Sequence, residues 1–401
     1  MTDKIYRLKG KIQNYAWGGT NYISELLGEQ VSEEPRAEYW LGAHVNAPSM
    51  LESSAGNIPL DDYLNANLTK ALGTKIADKF GRLPFLFKVL DVNDMLSIQV
   101  HPSKKEAEKG FKFENEQGIP LNAFNRNYKD DNHKPEIMVA LSEFWLLHGF
   151  LPKEKLIQVL KTIPEFNSLV TVFEDKGYFG LYKQVMEQTV EETNKTLQPL
   201  VDRLLPLYKA GTLDRTNPGY WAAKAVDSAE DTTILDKGIY SIYFFNIVKA
   251  NKGEAVFQDA GIPHAYLEGQ NMELMANSDN VLRGGLTPKH VDVPELLKHV
   301  VFEETHPTIM LGELQEDGLE RIYKSPAPDF ELSQIALNSE AKYQSIAKTA
   351  QVLIVIEGEA KVSEGAVSLV LKKGQAAFLS AESNYSISSS SFATMYKATA
   401  P

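Results

Sequence analysis

The residues best suited to chemistry lie in three short segments that are far apart along the chain. In the first, Gln99 and His101 are separated by one residue, within a stretch that alternates apolar and polar side chains. Such alternation is typical of a strand, so both polar heads should project from one face. Glu136 enters a second, apolar stretch, and His264 follows a turn that contains glycine and proline.

Two imidazoles, one carboxylate and one amide make a mixed set of nitrogen and oxygen donors. This set suits a divalent first-row metal ion, and the sequence contains no cysteine for the usual structural zinc site. A Gln-x-His pair on its own often arises by chance, as a half-exposed strand with an incidental histidine. The metal-site interpretation therefore requires that the three segments meet in the folded chain.

The elements expected around these residues are mainly strands. Residues 83–90 form a nearly continuous apolar run, which is typical of a strand buried on both faces. Strand character is also present at 36–42, 138–145 and 239–248, and it dominates the last 80 residues. Residues 152–230 differ, because their apolar side chains recur at helical spacing. The chain therefore reads as strand-rich regions separated by a helical block, with further helices expected at 60–82 and 294–300.

An internal repeat links the two strand-rich regions. Residues 253–260 and 374–381 share the pattern G-x-A-x-F-x-x-A. If the alignment continues in step, His264 falls opposite Tyr385. The two regions read as two versions of one β-unit, of which only the first kept a metal ligand. We therefore expect the C-terminal unit to be a small metal-free β-barrel.

The composition sets limits on partners and location. The chain has 401 residues, enough for two or three domains, with 41 basic and 53 acidic residues and a net charge of −12. This acidity argues against nucleic acid or an anionic membrane as a partner, since both favour basic surfaces. The sequence shows neither a signal core at its start nor an apolar run of membrane-spanning length, so a cytoplasmic protein is expected.

Several motifs together carry a family resemblance. Residues 253–264 are similar to the second cupin motif, except that Asp259 stands where the motif has proline. The Gln-x-His pair and the later glutamate resemble a modified first cupin motif with a long insertion. With the segments 84–88, 133–136 and, above all, 278–289, the chain closely resembles type I mannose-6-phosphate isomerases over most of its length.

The resemblance implies a mainly β fold of cupin jelly-roll barrels with an inserted α-helical domain. The catalytic cupin domain would comprise 1–150 and 236–322, interrupted by a helical domain at 151–235. A degenerate, metal-free cupin-like domain would follow at 323–401. The implied activity interconverts mannose 6-phosphate and fructose 6-phosphate by moving a proton between C1 and C2 through a cis-enediol-like intermediate. The expected partner is this small phosphosugar alone, with the chain acting as a monomer.

The resemblance also assigns residues to roles. It implies one zinc ion per chain, held by Gln99, His101, Glu136 and His264. It implies that Arg283 and Lys134 are catalytic and that Ser97, Lys134 and Lys289 hold the phosphorylated sugar. These roles agree with the chemistry, since an enediol-like state builds negative charge that a metal ion and a guanidinium can stabilise.

Alternatives remain open from the residues themselves. A cupin that binds a sugar phosphate without turnover would not need Arg283 or paired lysines. An Fe(II) cupin oxygenase is compatible with two histidines and a carboxylate, although Gln99 as a fourth ligand would leave fewer open positions. Arg283 can also be a surface residue in a glycine-rich turn, and Asp279 an acid or a turn-former. His133 should point away from Lys134 and Glu136 if the strand is regular.

Overall fold

A computed structural model describes residues 4–53, 56–229 and 231–401. The architecture is mainly β, as the sequence predicted. Its strands in chain order are β1 (Ile5–Lys9), β2 (Lys11–Gln13), β3 (Glu38–Leu41), β4 (Met50–Ser53), β5 (Gly56–Pro59), β6 (Phe85–Val92), β7 (Gln99–Val100), β8 (Glu136–Ala140), β9 (Phe144–Phe150), β10 (Phe245–Ala250), β11 (Ala255–Gln258), β12 (His264–Ala276), β13 (Leu282–Arg283), β14 (Glu313–Leu314), β15 (Glu320–Tyr323), β16 (Glu331–Asn338), β17 (Lys342–Ala347), β18 (Gln351–Glu364), β19 (Val367–Lys372), β20 (Ala376–Leu379), β21 (Ser383–Ser388) and β22 (Phe392–Thr399).

The helices are concentrated in the middle of the chain. They are α1 (Tyr22–Leu26), α2 (Leu60–Leu72), α3 (Thr74–Phe80), α4 (Lys104–Glu116), α5 (Lys153–Thr162), α6 (Leu169–Met186), α7 (Val190–Lys209), α8 (Pro218–Asp227), α9 (Gly238–Phe244) and α10 (Val293–His299), with a 3-10 turn at Pro164–Phe166. Within the described residues, no helix combines the length and the apolar composition needed to cross a bilayer.

The first sheet is organised around the long strand β12. Its main path is β10-β9-β12-β6-β3-β2, and β7, β8, β11 and β13 attach to it through antiparallel pairs. The start of β12 pairs with β7 and β9, whereas its second half pairs with β6 and β8. His264, the first residue of β12, therefore lies between residues of the two neighbouring strands β7 and β9.

Strand β6 is buried on both faces, as its apolar run predicted. All eight of its residues are buried. Phe85, Phe87 and Val89 face an apolar cluster that the first sheet shares with the second, including Val352 and Phe378. The other face of β6 points into the first sheet's interior, where the functional side chains described below are found.

The second sheet contains the C-terminal strands together with three strands from the start of the chain. Its path is β14-β15-β16-β22-β18-β20-β1-β4-β5, and β17, β19 and β21 attach at its side. Ile5 of β1 lies opposite Leu379 of β20. The domain division expected from the sequence does not include this connection, by which the N-terminal strand completes the C-terminal sheet.

The helical block packs on the back of the strands that carry the candidate ligands. Ile98, Val100 and Leu147 from the strand region share an apolar cluster with side chains of α5 to α9 such as Leu181 and Trp221. Ile98 and Val100 are fully buried, while Gln99 between them is half-buried. The alternation seen in the sequence thus separates a face packed on helices from a face turned to the interior.

One predicted element was wrong. The sequence indicated a strand over 239–248, but residues 238–244 form helix α9 and only 245–250 form a strand. Every residue of α9 is buried, so it has no polar face and lacks the 3.6-residue period that identifies a helix. Tertiary packing determines its conformation, helped by Asp236, whose carboxylate accepts a hydrogen bond from the backbone N–H of Gly238.

Candidate metal centre

Three predicted ligands meet in the interior of the first sheet. His101 Nε2 lies 3.3 Å from one oxygen of Glu136, and His264 Nε2 lies 3.5 Å from the other. All three residues are buried, and their ligand atoms fall within 4.8 Å of one another. Segments that are far apart in sequence therefore converge as the metal-site interpretation required.

Backbone carbonyls orient both imidazoles. His101 Nδ1 is 2.9 Å from the carbonyl oxygen of Asn280, and His264 Nδ1 is 2.8 Å from that of Ile262. A carbonyl can only accept a hydrogen bond, so each Nδ1 carries the proton and each Nε2 presents a lone pair. Neither Nε2 has a hydrogen-bond donor among the described residues.

This arrangement fits a cation. Two imidazole lone pairs face two carboxylate oxygens, and acceptors placed so closely repel unless a positive charge lies between them. Burial lowers the pKa of His101 to about 4, which outweighs the opposing effect of Glu136. Burial alone would raise the pKa of Glu136, but Lys134 and then His101 hold it well below its ordinary value. His101 and Glu136 are thus in the deprotonated forms that bind metal.

Gln99 lies at the centre of a row of opposed residues. It is directly opposite His264 on one neighbouring strand and directly opposite Arg283 on the other. Directly opposed residues project from the same face of a sheet, with Cβ atoms about 4.5–5.5 Å apart. The fold therefore brings Gln99 and Arg283 to the interior face on which His264 lies.

Lys134 lies beside the ligand carboxylate. Its Nζ is 3.2 Å from Glu136, and both residues are buried. His133 points away, as expected, and its Nε2 is 2.8 Å from the buried carboxylate of Asp329 in the C-terminal region. His133 and Lys134 precede β8, and in this short segment one side chain joins the two regions of the chain while the next faces the site.

Two predicted site cations, the catalytic Arg283 and the substrate-binding Lys289, have no acidic partner in the part of the chain that the structure describes. Within the described residues, no carboxylate lies in ion-pair contact with half-buried Arg283 or with exposed Lys289. Burial lowers the pKa of Arg283, and burial together with Arg283 lowers that of Lys289. Ser97 is half-buried and precedes Gln99 by two residues in the extended segment. Cations without a described carboxylate partner, close to a buried cluster that could hold a metal ion, favour an anionic ligand.

The sequence reasoning missed a second buried charge cluster. Lys88 Nζ lies 3.0 Å from Glu273 and 3.3 Å from Glu38, and all three residues are buried. The indole N–H of Trp40 also donates to Glu38. Lys88 lies directly opposite Glu273 across β6 and β12. A single lysine within an otherwise apolar strand was the available signal, because a buried charge requires a partner.

Electrostatics connect this cluster to the metal ligands. Burial raises the pKa of Glu273, an effect that Lys88 opposes and Glu136 reinforces. Burial would lower the pKa of Lys88, but Glu273 and Glu38 raise it above its ordinary value. The carboxylate of Asp279 lies 3.2 Å from Nε2 of His44. Burial would raise the pKa of Asp279, but His44 and the nearby lysines bring this pKa below its ordinary value. The buried carboxyl groups of Glu136 and Glu273 thus lie in different protonation environments near the candidate cation site.

Comparisons with known proteins agree with this site. Residues 5–153 match the family model of the phosphomannose isomerase type I catalytic domain, and residues 320–392 match that of the mannose-6-phosphate isomerase cupin domain. The mannose-6-phosphate isomerase of Escherichia coli is 37% identical, covering 94% of this chain and 95% of the relative. The human enzyme is 33% identical, covering 96% and 95%.

Solved structures give the same result. The crystal structure of mannose 6-phosphate isomerase from Salmonella typhimurium with bound fructose 6-phosphate and zinc matches with a TM-score of 0.87 and 34% identity, covering 98% of this chain and 99% of that one. A zinc-bound holo structure of mannose 6-phosphate isomerase matches with a TM-score of 0.87 and 35% identity, with the same coverage. The cupin fold and the family predicted from the sequence are thereby confirmed. The chain belongs to the type I mannose-6-phosphate isomerase family.

Proposed function

We propose that this chain is a zinc-dependent aldose–ketose isomerase that interconverts mannose 6-phosphate and fructose 6-phosphate. The observation that carries the proposal is the combination of a buried His101–Glu136–His264 cluster with unpaired cations next to it. The cluster suits a divalent metal, and the cations suit a phosphorylated ligand. Relatives named for this activity span almost the whole chain.

The metal ligands would be His101, Glu136 and His264, with Gln99 as the fourth. Support for Gln99 comes from its place directly opposite His264 and from the oxygen donor that its amide offers. When bound, zinc would supply Lewis-acid polarisation of the sugar oxygens. A set of nitrogen and oxygen ligands without thiolate is also the usual composition of catalytic rather than structural zinc sites.

Arg283 would stabilise the negative charge that develops on the sugar during isomerisation. Its guanidinium is half-buried, and no carboxylate among the described residues neutralises it. A planar guanidinium can donate two hydrogen bonds to adjacent oxygens of an enediol-like state. The row that joins Arg283 to Gln99 and His264 supports a location over the reacting carbons.

Lys134 would take part in moving the proton between C1 and C2, and with Ser97 and Lys289 it would hold the substrate. The ammonium of Lys134 lies 3.2 Å from Glu136, so a sugar oxygen bound beside that carboxylate would be within its reach. Lys289 is exposed and lies near Arg283, a location suited to a phosphate at the rim of the site. We further propose that the Lys88–Glu273 pair influences the charge of the site, because Glu136 acts electrostatically on Glu273.

The four-part division at 1–150, 151–235, 236–322 and 323–401, a cytoplasmic location and a monomeric state also belong to this proposal. Support for the division comes from the helices of the middle block and from the repeat of the two β-units. Light scattering of the purified chain would test the monomeric state, because a dimer would double the measured mass.

A coupled assay for fructose 6-phosphate distinguishes the enzyme from the alternatives. We expect turnover of mannose 6-phosphate and none of unphosphorylated mannose at the same concentration, because Lys289 would lack its anion. A binding protein without turnover would give no product with either sugar. An Fe(II) oxygenase would consume oxygen and lose activity when iron is replaced by zinc, and either of these results would contradict the proposal.

A further inference from the structure

The loop that follows Arg283 has a backbone conformation that needs support. Leu286 has a φ of +55°, in the left-handed region that leucine rarely adopts. Such a conformation persists only where surrounding contacts enforce it. Residues 284–289, called here the 284–289 loop, therefore need a stabilising contact elsewhere in the fold.

Asp236 is that partner. One oxygen of its carboxylate accepts hydrogen bonds from the backbone N–H groups of Gly238, at 2.6 Å, and of Leu286, at 2.7 Å. The other oxygen accepts from the N–H of Thr287, at 3.1 Å. Hydrogen bonds to an ionised acceptor are stronger than those between neutral groups. A single carboxylate thus fixes the strained residue, the residue after it and the start of α9.

At positions 284 and 285, the loop packs so closely on neighbouring residues that there is no space for a side chain. A Cβ atom at Gly285 would lie 2.7 Å from the carboxylate of Asp236 and 2.6 Å from the backbone N of Gly238. At Gly284 it would lie 2.7 Å from the hydroxyl oxygen of Tyr182 in α6. The two glycines therefore allow the loop to lie directly against the helical block.

A further hydrogen bond within the loop connects Thr287 to Lys289. The hydroxyl of Thr287 accepts a hydrogen bond from the backbone N–H of Lys289, at 3.1 Å. Arg283 is fixed separately, because it belongs to β13 and pairs with Gln99 of β7. Movement of the loop would therefore displace Lys289 more than Arg283.

We propose that Asp236 is a positioning residue for substrate binding, which acts by holding the 284–289 loop so that Lys289 faces the phosphate of the sugar. The inference rests on the proposed function, in which Lys289 binds the phosphate and Arg283 lies at the reacting carbons. Under this proposal, the segment between α8 and α9 shapes the substrate site in addition to packing on the strands. Asp236 does not touch the reacting atoms.

Steady-state kinetics of Asp236→Ala test the proposal. We expect KM for mannose 6-phosphate to rise about tenfold, which corresponds to about 1.4 kcal/mol, with kcat changed less than about threefold and zinc content unchanged. Asp231→Ala is the matched control. Asp231 lies in the same connecting segment and accepts a hydrogen bond from the N–H of Thr233 at 2.8 Å, and we expect its kinetic constants to equal those of the parent.

A double-mutant cycle separates positioning from a general loss of stability. Glycine adopts the left-handed conformation without strain, so in a Leu286→Gly background the loop should depend less on Asp236. We expect Asp236→Ala to raise KM less than about threefold in that background. An equal tenfold rise in both backgrounds, or no rise in either, would overturn the proposal.

Hydrogen exchange gives a readout that does not depend on activity. The peptide containing Leu286 and Thr287 should exchange faster in Asp236→Ala than in Asp231→Ala, while peptides from β6 and β18 exchange at the parent's rate. Unchanged exchange at 286–287 would contradict the positioning role. If the parent itself lacked isomerase activity, the proposed function would fail, while this experiment would still decide the role of Asp236.

Discussion

Gln99 and His264 lie directly opposite each other on neighbouring antiparallel strands. On its other side, Gln99 lies directly opposite Arg283. Two backbone pairs thus connect His264, a proposed metal ligand, to the arginine proposed for charge stabilisation, and the amide between them projects from the same face. The register of β12, β7 and β13 therefore fixes the separation of His264 and Arg283 along the sheet, and mutations along this row should have separable effects.

Gln99→Ala should weaken zinc binding without abolishing it, because His101, Glu136 and His264 remain. We expect the affinity to fall by at least about 10–100-fold, the loss that follows removal of groups that only orient metal ligands. Competition with a chromophoric chelator measures it. Ser97→Ala is the control, since Ser97 lies in the same extended segment and should affect sugar binding alone. Equal zinc affinity of Gln99→Ala and the parent would remove Gln99 from the ligand set.

Arg283→Ala should leave zinc content near normal, because the guanidinium is not a ligand. It should lower kcat by about 10²-fold or more, as expected when one preorganised charge-stabilising group is lost. Arg283→Lys should recover activity only in part, because an ammonium cannot form the planar fork. A variant with the parent's kcat and a raised KM would show that Arg283 only binds substrate.

Lys134→Met should also retain zinc, since the four proposed ligands are unchanged. If Lys134 helps to move the proton, kcat should fall by about 10²–10⁴-fold, the usual contribution of a positioned acid or base. Solvent tritium exchange into the product would fall with it. Retention of kcat and of tritium exchange would transfer the proton step to another interior group, with Glu273 the first to examine.

Glu295 should contribute to the acid dependence of stability. Its hydrogen bond to His299, together with those from Lys298 and Tyr128 and against the effect of burial, lowers its pKa to about 2. A carboxyl with a depressed folded-state pKa stabilises the fold above its unfolded value of about 4.3, and this contribution is lost as the pH falls towards 2. Because the site is partly exposed, we expect a contribution on the order of 1 kcal/mol.

Urea unfolding of the parent and of Glu295→Gln checks this expectation. The difference in the free energy of unfolding should be largest at neutral pH and should shrink between about pH 4.5 and pH 2. A difference that stays constant over this range would mean that the charge of Glu295 does not stabilise the fold.

The sequence was most informative where local chemistry and pattern agreed. Alternation from Leu96 to Val100 predicted which side chains are buried, and the donors His101, Glu136 and His264 are brought together as expected. Lys134 and His133 point to opposite sides just before β8, as the predicted alternation requires. Which face a side chain occupies followed from its own segment, whereas the meeting of the three donors rested on their chemistry and on the family resemblance.

The features that the sequence did not reveal depend on tertiary contacts. Helix α9 is buried all round, so its pattern lacks a period. The pairing of Lys88 with Glu273 joins residues on strands far apart in the chain. Asp236 shows no motif, because its function depends on where the backbone of Leu286 lies. The pairing of β1 with β20 is likewise set by packing between the two ends of the chain.

Titration of the metal-free chain with zinc tests whether one zinc ion at His101, Glu136 and His264 is required for isomerisation. The chain is stripped with a chelator and assayed for conversion of mannose 6-phosphate to fructose 6-phosphate at each zinc addition. We predict no activity without metal, a linear rise with added zinc and a plateau at one equivalent per chain, and no such rise for His101→Ala. Full activity in the stripped protein, or a zinc-dependent rise in His101→Ala equal to that of the parent, would contradict it.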